Sequence, residues 1–355
     1  MRPPVRPDLA SLSAYLAPQV EARVRLNTNE CAYPLPETFV RDLAGAVARI
    51  PFNRYPDRDA TELRAGLGEL TGHGADGIWV ANGSNEVLQH LCLAFGGPGR
   101  RVLLFDPTYS MHSLIPRMVG TELVHEPLPV GFRLDPGSAV AAVRRHEPAL
   151  VFVCSPNNPT GNAQPLDTVE ALCREAGVLV MVDEAYIEFG GRSAQPLLDG
   201  HENLVVVRTF SKAFSMAAAR LGYALASPEL VAELPRVRLP YHLSALSLAA
   251  GDVALRHLDD ARGVLDRLGE QRDRIVSALT ALGDVETYPS DANFVLFRTP
   301  VEARALWRAL LDRGVLIRDV SAGVGLERCL RVTAGTPEET SAFLEALPEA
   351  LKEVS

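Results

Sequence analysis

The stretch Val178-Leu179-Val180-Met181-Val182-Asp183-Glu184-Ala185-Tyr186 decides the fold. Five apolar residues in a row, ended abruptly by two acids, predict a strand buried on both faces, as in a parallel sheet covered by helices. Runs at 78–81, 102–105, 150–154, 204–207 and 222–226 repeat the pattern, with turn residues at their flanks and helical patterns between. The helix after Ser84 is the sharpest of these. Val87, Leu88, Leu91, Cys92 and Phe95 keep an i, i+3, i+4 stripe, Ser84 is the expected N-cap, and Gly96-Gly97-Pro98 stops it.

Arg238-Leu239-Pro240-Tyr241 breaks this alternation. A helical stretch follows over about 244–282, then short strands at 292–297, 315–318 and 329–333, with a helix at 301–313 forming a β-α-β unit. The expected fold is therefore α/β: a large domain with a mostly parallel sheet sandwiched by helices, and a smaller α+β C-terminal domain. The predicted division is an arm over 1–30, the large domain over 31–243 and the small domain over 244–355. A chain of 355 residues is long enough for two such units.

Bulk composition excludes several classes. With 35 basic and 44 acidic side chains, the net charge of −9 argues against a nucleic-acid surface. No apolar run approaches the roughly 20 residues that span a bilayer. Met1-Arg2-Pro3-Pro4-Val5-Arg6-Pro7 has no apolar segment behind its basic residues, so no secretory signal is expected. Cysteines 31, 92, 154, 173 and 329 form no C-x-x-C pair, and the expectation is reduced thiols in the cytoplasm with no metal site.

The candidate chemistry lies at the ends of the apolar runs. Asp183 closes its strand at the carboxyl end, where open α/β sheets bind ligands. A hydrophobic run ending in Asp-Glu also describes a Walker B strand, but the chain lacks G-x-x-x-x-G-K-[ST]. Lys212 follows the run 204–207 within Thr209-Phe210-Ser211-Lys212-Ala213-Phe214, where a buried amine should have a depressed pKa suited to imine formation and proton transfer. Gly83-Ser84-Asn85 opens a helix whose free N–H groups suit a phosphate, and Thr209, Ser211 and Arg220 add hydroxyls and a fixed positive charge. Asn158 and Tyr186 are placed to hydrogen-bond a phenolic oxygen, and Tyr109 to lie against a ring. An imine-forming lysine, an aspartate for a pyridinium nitrogen and a phosphate cradle together describe a grip on pyridoxal 5'-phosphate.

The ordered set of motifs makes the reading more specific. Leu26-Asn27-Thr28-Asn29-Glu30, Arg54-Tyr55-Pro56-Asp57, Asn82-Gly83-Ser84-Asn85-Glu86, Ser155-Pro156-Asn157-Asn158-Pro159-Thr160-Gly161, Asp183-Glu184-Ala185-Tyr186, Ser211-Lys212-Ala213-Phe214 and Leu330-Arg331-Val332-Thr333 run through the chain in order. The sequence resembles the fold-type I pyridoxal-phosphate aminotransferases, and within them the histidinol-phosphate aminotransferase family. The resemblance implies Lys212, Asp183 and Tyr186 as the catalytic set. It also implies Ser84, Asn85, Tyr109, Asn158, Thr209, Ser211 and Arg220 around the cofactor, with Tyr55 reaching the neighbouring subunit's cofactor phosphate in a homodimer. Arg331, Arg318, Asn29 and Tyr15 would meet the substrate, the two arginines accepting a carboxylate in one half-reaction and a phosphate in the other. The implied reaction exchanges an amino group between L-glutamate and histidinol phosphate in histidine synthesis. The alternatives on the same scaffold are an aromatic amino-acid aminotransferase and an O-phospho-threonine decarboxylase.

Three departures accompany the likeness. Cys31-Ala32 stands where Asn-Pro is usual, Ala218 where glycine is common, and His242 where asparagine is frequent. They bear on substrate identity and leave Lys212, Asp183 and Arg331 untouched.

Overall fold

The computed structural model describes residues 3–6, 9, 12 and 20–355. The expectation for Tyr15 lies outside them. After β1 (Val24–Arg25) and helices α1 (Glu37–Ala48) and α2 (Thr61–Thr71), strand and helix alternate. The order is β2 (Ile78–Ala81), α3 (Ser84–Phe95), β3 (Arg101–Asp106), α4 (Ser110–Met118), β4 (Glu122–Pro127), α5 (Pro136–His146), β5 (Leu150–Cys154), α6 (Leu166–Cys173), β6 (Leu179–Asp183), β7 (Leu204–Thr209) and β8 (Gly222–Ala226). These seven strands form one sheet in the order β2-β8-β7-β6-β5-β3-β4. Only β8 runs against its neighbours, so the sheet is mostly parallel, as the apolar runs predict.

Alternation along each strand feeds two cores. Val180, Val182, Leu204 and Val206 pack on one face of the sheet, and Leu179, Met181, Val205 and Val207 on the other. Each fully buried side chain of this size contributes about 1.5–3 kcal/mol, so the sheet is a stiff platform for whatever its strand ends carry. Strand β4 escapes the sequence reading because it is an edge strand, paired only with β3 and punctuated by Glu122, His125 and Glu126. Gly83, at φ 77°, is the N-cap of α3, so Ser84 is the first helical residue and not the cap.

The C-terminal part departs further from expectation. The helical stretch 244–282 is two helices, α8 (Ala245–Ala254) and α9 (Leu258–Ala281), after the short α7 (Pro228–Glu233). The His257 ring separates them, bonding Asp260 at 2.9 Å and Asp42 of α1 at 3.0 Å. Helix α8 buries Leu248, Ala250, Val253 and Ala254 in the same core as Val180, Val182, Leu204 and Val206. Beyond it come β9 (Glu286–Thr287), β10 (Phe294–Arg298), α10 (Ala303–Asp312), β11 (Val315–Leu316), β12 (Arg318–Asp319), β13 (Cys329–Thr333) and α11 (Pro337–Val354). Strands β12-β13-β10-β9 form an antiparallel sheet. The expected strand 315–318 is split: β11 pairs in parallel with β1, while Arg318 begins β12, which shares the sheet of β10 and completes the β-α-β unit around α10. Val24 and Leu26 thereby join the core of Val295, Phe297 and Leu330, in a segment that the sequence reads as an arm rather than a core element. No helix of the described residues is long and apolar enough to cross a membrane.

Candidate active site

The carboxyl ends of β2, β5, β6 and β7 open onto one cavity of about 880 Å³, closed on the far side by β12 and β13. Asp183, the last residue of β6, is 3% exposed at its floor. Its Oδ1 accepts from the Ala185 N–H at 3.1 Å, and its Oδ2 lies 2.9 Å from His112 Nε2. His112, fully buried on α4, is held in turn by the Thr108 hydroxyl at 3.2 Å from Nδ1. Sequence reasoning missed His112. It lies in the first turn of α4, three residues after the N-cap Tyr109, whose ring it meets edge-on.

Lys212 follows β7 and lines the same cavity. Its Nζ donates to the Thr28 carbonyl at 3.1 Å and sits 5.8 Å from the centre of the Tyr186 ring. Burial, followed by the charge of Arg331 and more weakly Arg220, pulls its pKa from 10.5 down to about 8, against the opposing pull of Glu30. Tyr186 is buried, and its hydroxyl receives Asn29 Nδ2 at 3.0 Å and Asn158 Nδ2 at 3.3 Å. Burial raises its phenol pKa above the usual value of 10. Asn29 is itself fixed by Thr333, whose hydroxyl bonds its N–H at 3.1 Å and its Oδ1 at 3.0 Å. Its side chain therefore supports Tyr186 while lining the cavity. Tyr109 lines the cavity too, edge-on to His112 with ring centres 5.5 Å apart.

The anion cradle assembles where β2 and β7 end and β8 begins. Thr209 Oγ1 and Ser211 Oγ are 3.0 Å apart, and Arg220 Nη1 approaches Ser211 Oγ at 3.5 Å. The first N–H groups of α3, at Ser84 and Asn85, have no carbonyl one turn back and point into this space. A Cβ at Gly83 would meet Arg220 Nη2 at 2.7 Å, so only glycine lets the guanidinium close over the turn. Asn85 Oδ1 is buried without a hydrogen-bond partner. The Thr209 and Ser211 hydroxyls, the first N–H groups of α3 and the Arg220 charge form a donor set for a phosphate, so the residues fit pyridoxal phosphate. Ala218 sits in the single turn Ala217–Ala219, and the left-handed residue there is Arg220 at φ 51°; the missing glycine strains nothing.

On the opposite wall Arg331 is buried. Its Nη1 bonds Asn158 Oδ1, and its Nη2 donates to the Asn27 carbonyl at 2.8 Å. Arg318 faces it directly across β12 and β13. Asp319, the acid adjacent to Arg318, is taken by Arg304 at 3.5 Å and by Ser321 at 2.6 Å. Two cations thus converge on one cavity wall. Tyr55 does not line this cavity. It is 79% exposed and stacks on Tyr241 at 4.5 Å and 13°. Cys31 also lies off the cavity, packed with Tyr33 and Phe189 around the small cluster of Val264, Leu268 and Ala334. His112, Cys154 and Asp183 bring ligand atoms within 4.8 Å of one another. Burial and the Asp183 charge hold the Cys154 thiol well above its usual pKa, so the trio suits a ring N–H better than a metal ion.

Comparison with known proteins agrees with this geometry. The aminotransferase class I and II family model matches residues 22–347. The chain is 49% identical to a histidinol-phosphate aminotransferase of Thermobifida fusca, over 97% of this chain and 94% of that one. It is 50% identical to the Frankia casuarinae enzyme of the same name, over 98% and 90%. The chain belongs to the class I and II aminotransferases, in the histidinol-phosphate aminotransferase family. Among solved structures, the family member from Sinorhizobium meliloti, in complex with pyridoxal-5'-phosphate, superposes with a TM-score of 0.89 at 25% identity, covering 99% of this chain and 98% of that one. That coverage extends the aminotransferase fold across both sheets described above.

Proposed function

We propose that the chain is a pyridoxal-phosphate aminotransferase exchanging an amino group between L-glutamate and histidinol phosphate, with 2-oxoglutarate and imidazole acetol phosphate as the keto partners. The observation that carries it is the facing pair Arg318 and Arg331 on the wall of the cavity that Asp183 and Lys212 share. Glutamate presents an α-carboxylate where histidinol phosphate presents a phosphate ester, and guanidinium groups bind either anion.

When bound, pyridoxal phosphate supplies an electron sink for the negative charge that develops at the substrate α-carbon. Asp183, steadied by His112, is suited to hold a pyridinium nitrogen in its charged form. Tyr186 and Asn158 supply hydrogen bonds to a ring oxygen, and Tyr109 supplies a flat apolar wall. Ser84, Asn85, Thr209, Ser211 and Arg220 supply hydroxyls, N–H groups and one fixed charge for the phosphate. The Lys212 amine, with its lowered pKa, is available as a neutral base at mildly alkaline pH and takes and returns the substrate's α-proton. Arg331, fixed by Asn158 and Asn27, orients the anionic end of either substrate.

The enzyme works as a homodimer in this reading. Phe52, Tyr55, Leu239 and Tyr241 leave apolar surface exposed on the two segments that the Tyr55–Tyr241 stack joins, which supports a second copy as their occupant. Five free cysteines support a reducing, cytoplasmic setting. The test is a screen of amino acceptors with L-glutamate as donor, read by 2-oxoglutarate formation. Imidazole acetol phosphate should exceed phenylpyruvate in kcat/KM by about tenfold or more. A preference for phenylpyruvate would reassign the substrate.

A further inference from the structure

We infer that Glu184 and Arg208 are positioning residues for the amino-transfer chemistry: their buried ion pair clamps together the two strand ends that present Asp183 and the segment leading to Lys212. Asp183 and Thr209 point to the face of the sheet where the cavity lies. Glu184 and Arg208, each one residue away in the chain, point to the opposite face, where the preceding inward positions Val180, Val182, Leu204 and Val206 are all apolar. The change from apolar to charged comes where the backbone ladder stops. The last paired residues of β6 and β7 are Asp183 and Val207, and the final bond runs from the Glu184 N–H to the Val207 carbonyl at 2.8 Å. Beyond it Arg208 and Thr209 pair only with β8, opposite Tyr223 and Gly222, while the chain after Glu184 turns off toward Tyr186.

Side chains take over at that point. Arg208 Nε donates to Glu184 Oε2 at 3.0 Å, and Arg208 Nη2 donates to Ser193 Oγ at 2.8 Å. Ser193 Oγ donates to Glu184 Oε2 at 2.8 Å, and the Ala194 N–H donates to Glu184 Oε1 at 2.6 Å. The Glu184 side chain is 1% exposed and that of Arg208 13%. A buried ion pair is a poor device for stability, because apolar residues of similar volume stabilise as well or better. It does supply direction: a forked donor on a fully bonded carboxylate fixes the separation and angle of the two ends. Asp183 and Lys212 act from different sides of one cavity, so that angle sets how both groups meet a bound ring.

The inference deepens the aminotransferase reading and rests on it. Its test is the Glu184→Met/Arg208→Met double variant, which removes both charges together and leaves neither unpaired, beside Arg208→Lys, which keeps the charge and loses the fork. Glu188 and Tyr223 are the other titratable groups facing the pair. Burial pushes Glu188 up to about 7 against the opposing pull of Arg208, so loss of that charge favours its neutral form further. The double variant should stay folded and melt somewhat below the parent, because the buried Ala194 N–H loses its acceptor. Loaded with pyridoxal phosphate, it should show a shifted pH titration of its visible absorbance and react with L-glutamate in a single turnover about tenfold more slowly, the half-saturating glutamate concentration being little changed. Arg208→Lys should fall between it and the parent. A parental rate and absorbance titration in either folded variant would overturn the inference. A parent that itself fails to react with glutamate would instead overturn the functional reading.

Discussion

His112 Nε2 lies 2.9 Å from Asp183 Oδ2 with both side chains almost wholly buried, and the Thr108 hydroxyl holds the other ring nitrogen. The imidazole therefore has one orientation and steadies the carboxylate from behind the cavity floor. Replacing it by leucine keeps the volume and leaves Asp183 short of one partner, a loss of about 1–3 kcal/mol where the group is buried. His112→Leu should weaken pyridoxal phosphate binding about tenfold and lower kcat by a similar factor, with KM for glutamate changed much less. Fluorescence titration with the cofactor and steady-state kinetics check both. Parental cofactor affinity would remove His112 from the site.

The chain contains two lysines, Lys212 and Lys352, which permits a direct test of amine chemistry. Lys352 is exposed on α11 and serves as an internal reference. Burial and the Arg331 charge bring Lys212 to about 8. Its neutral, reactive form should therefore appear in the cofactor-free protein with a midpoint about 8. Competitive acetylation across a pH series, read by mass spectrometry, checks this. The sign for stability follows from the same shift. Between about 8 and 10.5 the unfolded chain holds a proton at this position that the folded chain has lost, so the Lys212 contribution to stability rises with pH across that window. Acetylation of both lysines in step would refute the lowered value.

What the sequence made legible was the part of the site carried by strand ends. Asp183, Asn158 and Lys212 each follow an apolar run, so sheet topology alone brings them to one edge. What it hid depends on packing between distant segments. His112 acts through a hydrogen bond spanning 71 positions, and the β1 pairing with β11 joins residues 24 and 315. The apolar face of helix α8 says that it is buried, not against which core. The β4 strand was hidden for the opposite reason, having too little apolar surface to register as a strand.

Arg331 and Arg318 give a third prediction. Arg331 is held on two sides, and in the proposed reaction it would serve as a fixed fork in both half-reactions. Arg331→Lys keeps the charge but loses bidentate geometry. It should raise KM for L-glutamate and for histidinol phosphate together by about tenfold or more, corresponding to the 1–3 kcal/mol of a lost charged hydrogen bond. Arg318→Gln should raise KM for the phosphate substrate more than for glutamate, because a phosphate presents more charge and more acceptor oxygens. Equal effects of Arg318→Gln on both substrates would limit that residue to a general electrostatic role. Steady-state kinetics in each half-reaction separates the cases.

Tyr55 tests the assembly. Its ring lies outside its own chain's cavity and is presented at the surface by the stack on Tyr241. If it completes the partner's phosphate site, Lys212→Ala and Tyr55→Phe damage different subunits of a shared site. A dimer holding one subunit of each kind then has one site with Lys212 from one subunit and Tyr55 from the other, both intact. The Lys212→Ala protein alone should show no visible absorbance from lysine-bound cofactor and only trace turnover. Tyr55→Phe alone should bind cofactor more weakly, because a buried phosphate loses one hydroxyl donor. Random mixing gives half mixed dimers with one intact site in two, so at limiting cofactor the mixture should regain roughly one quarter of parental activity. Activity that never exceeds the average of the two separate variants would show that Tyr55 serves no site across the interface.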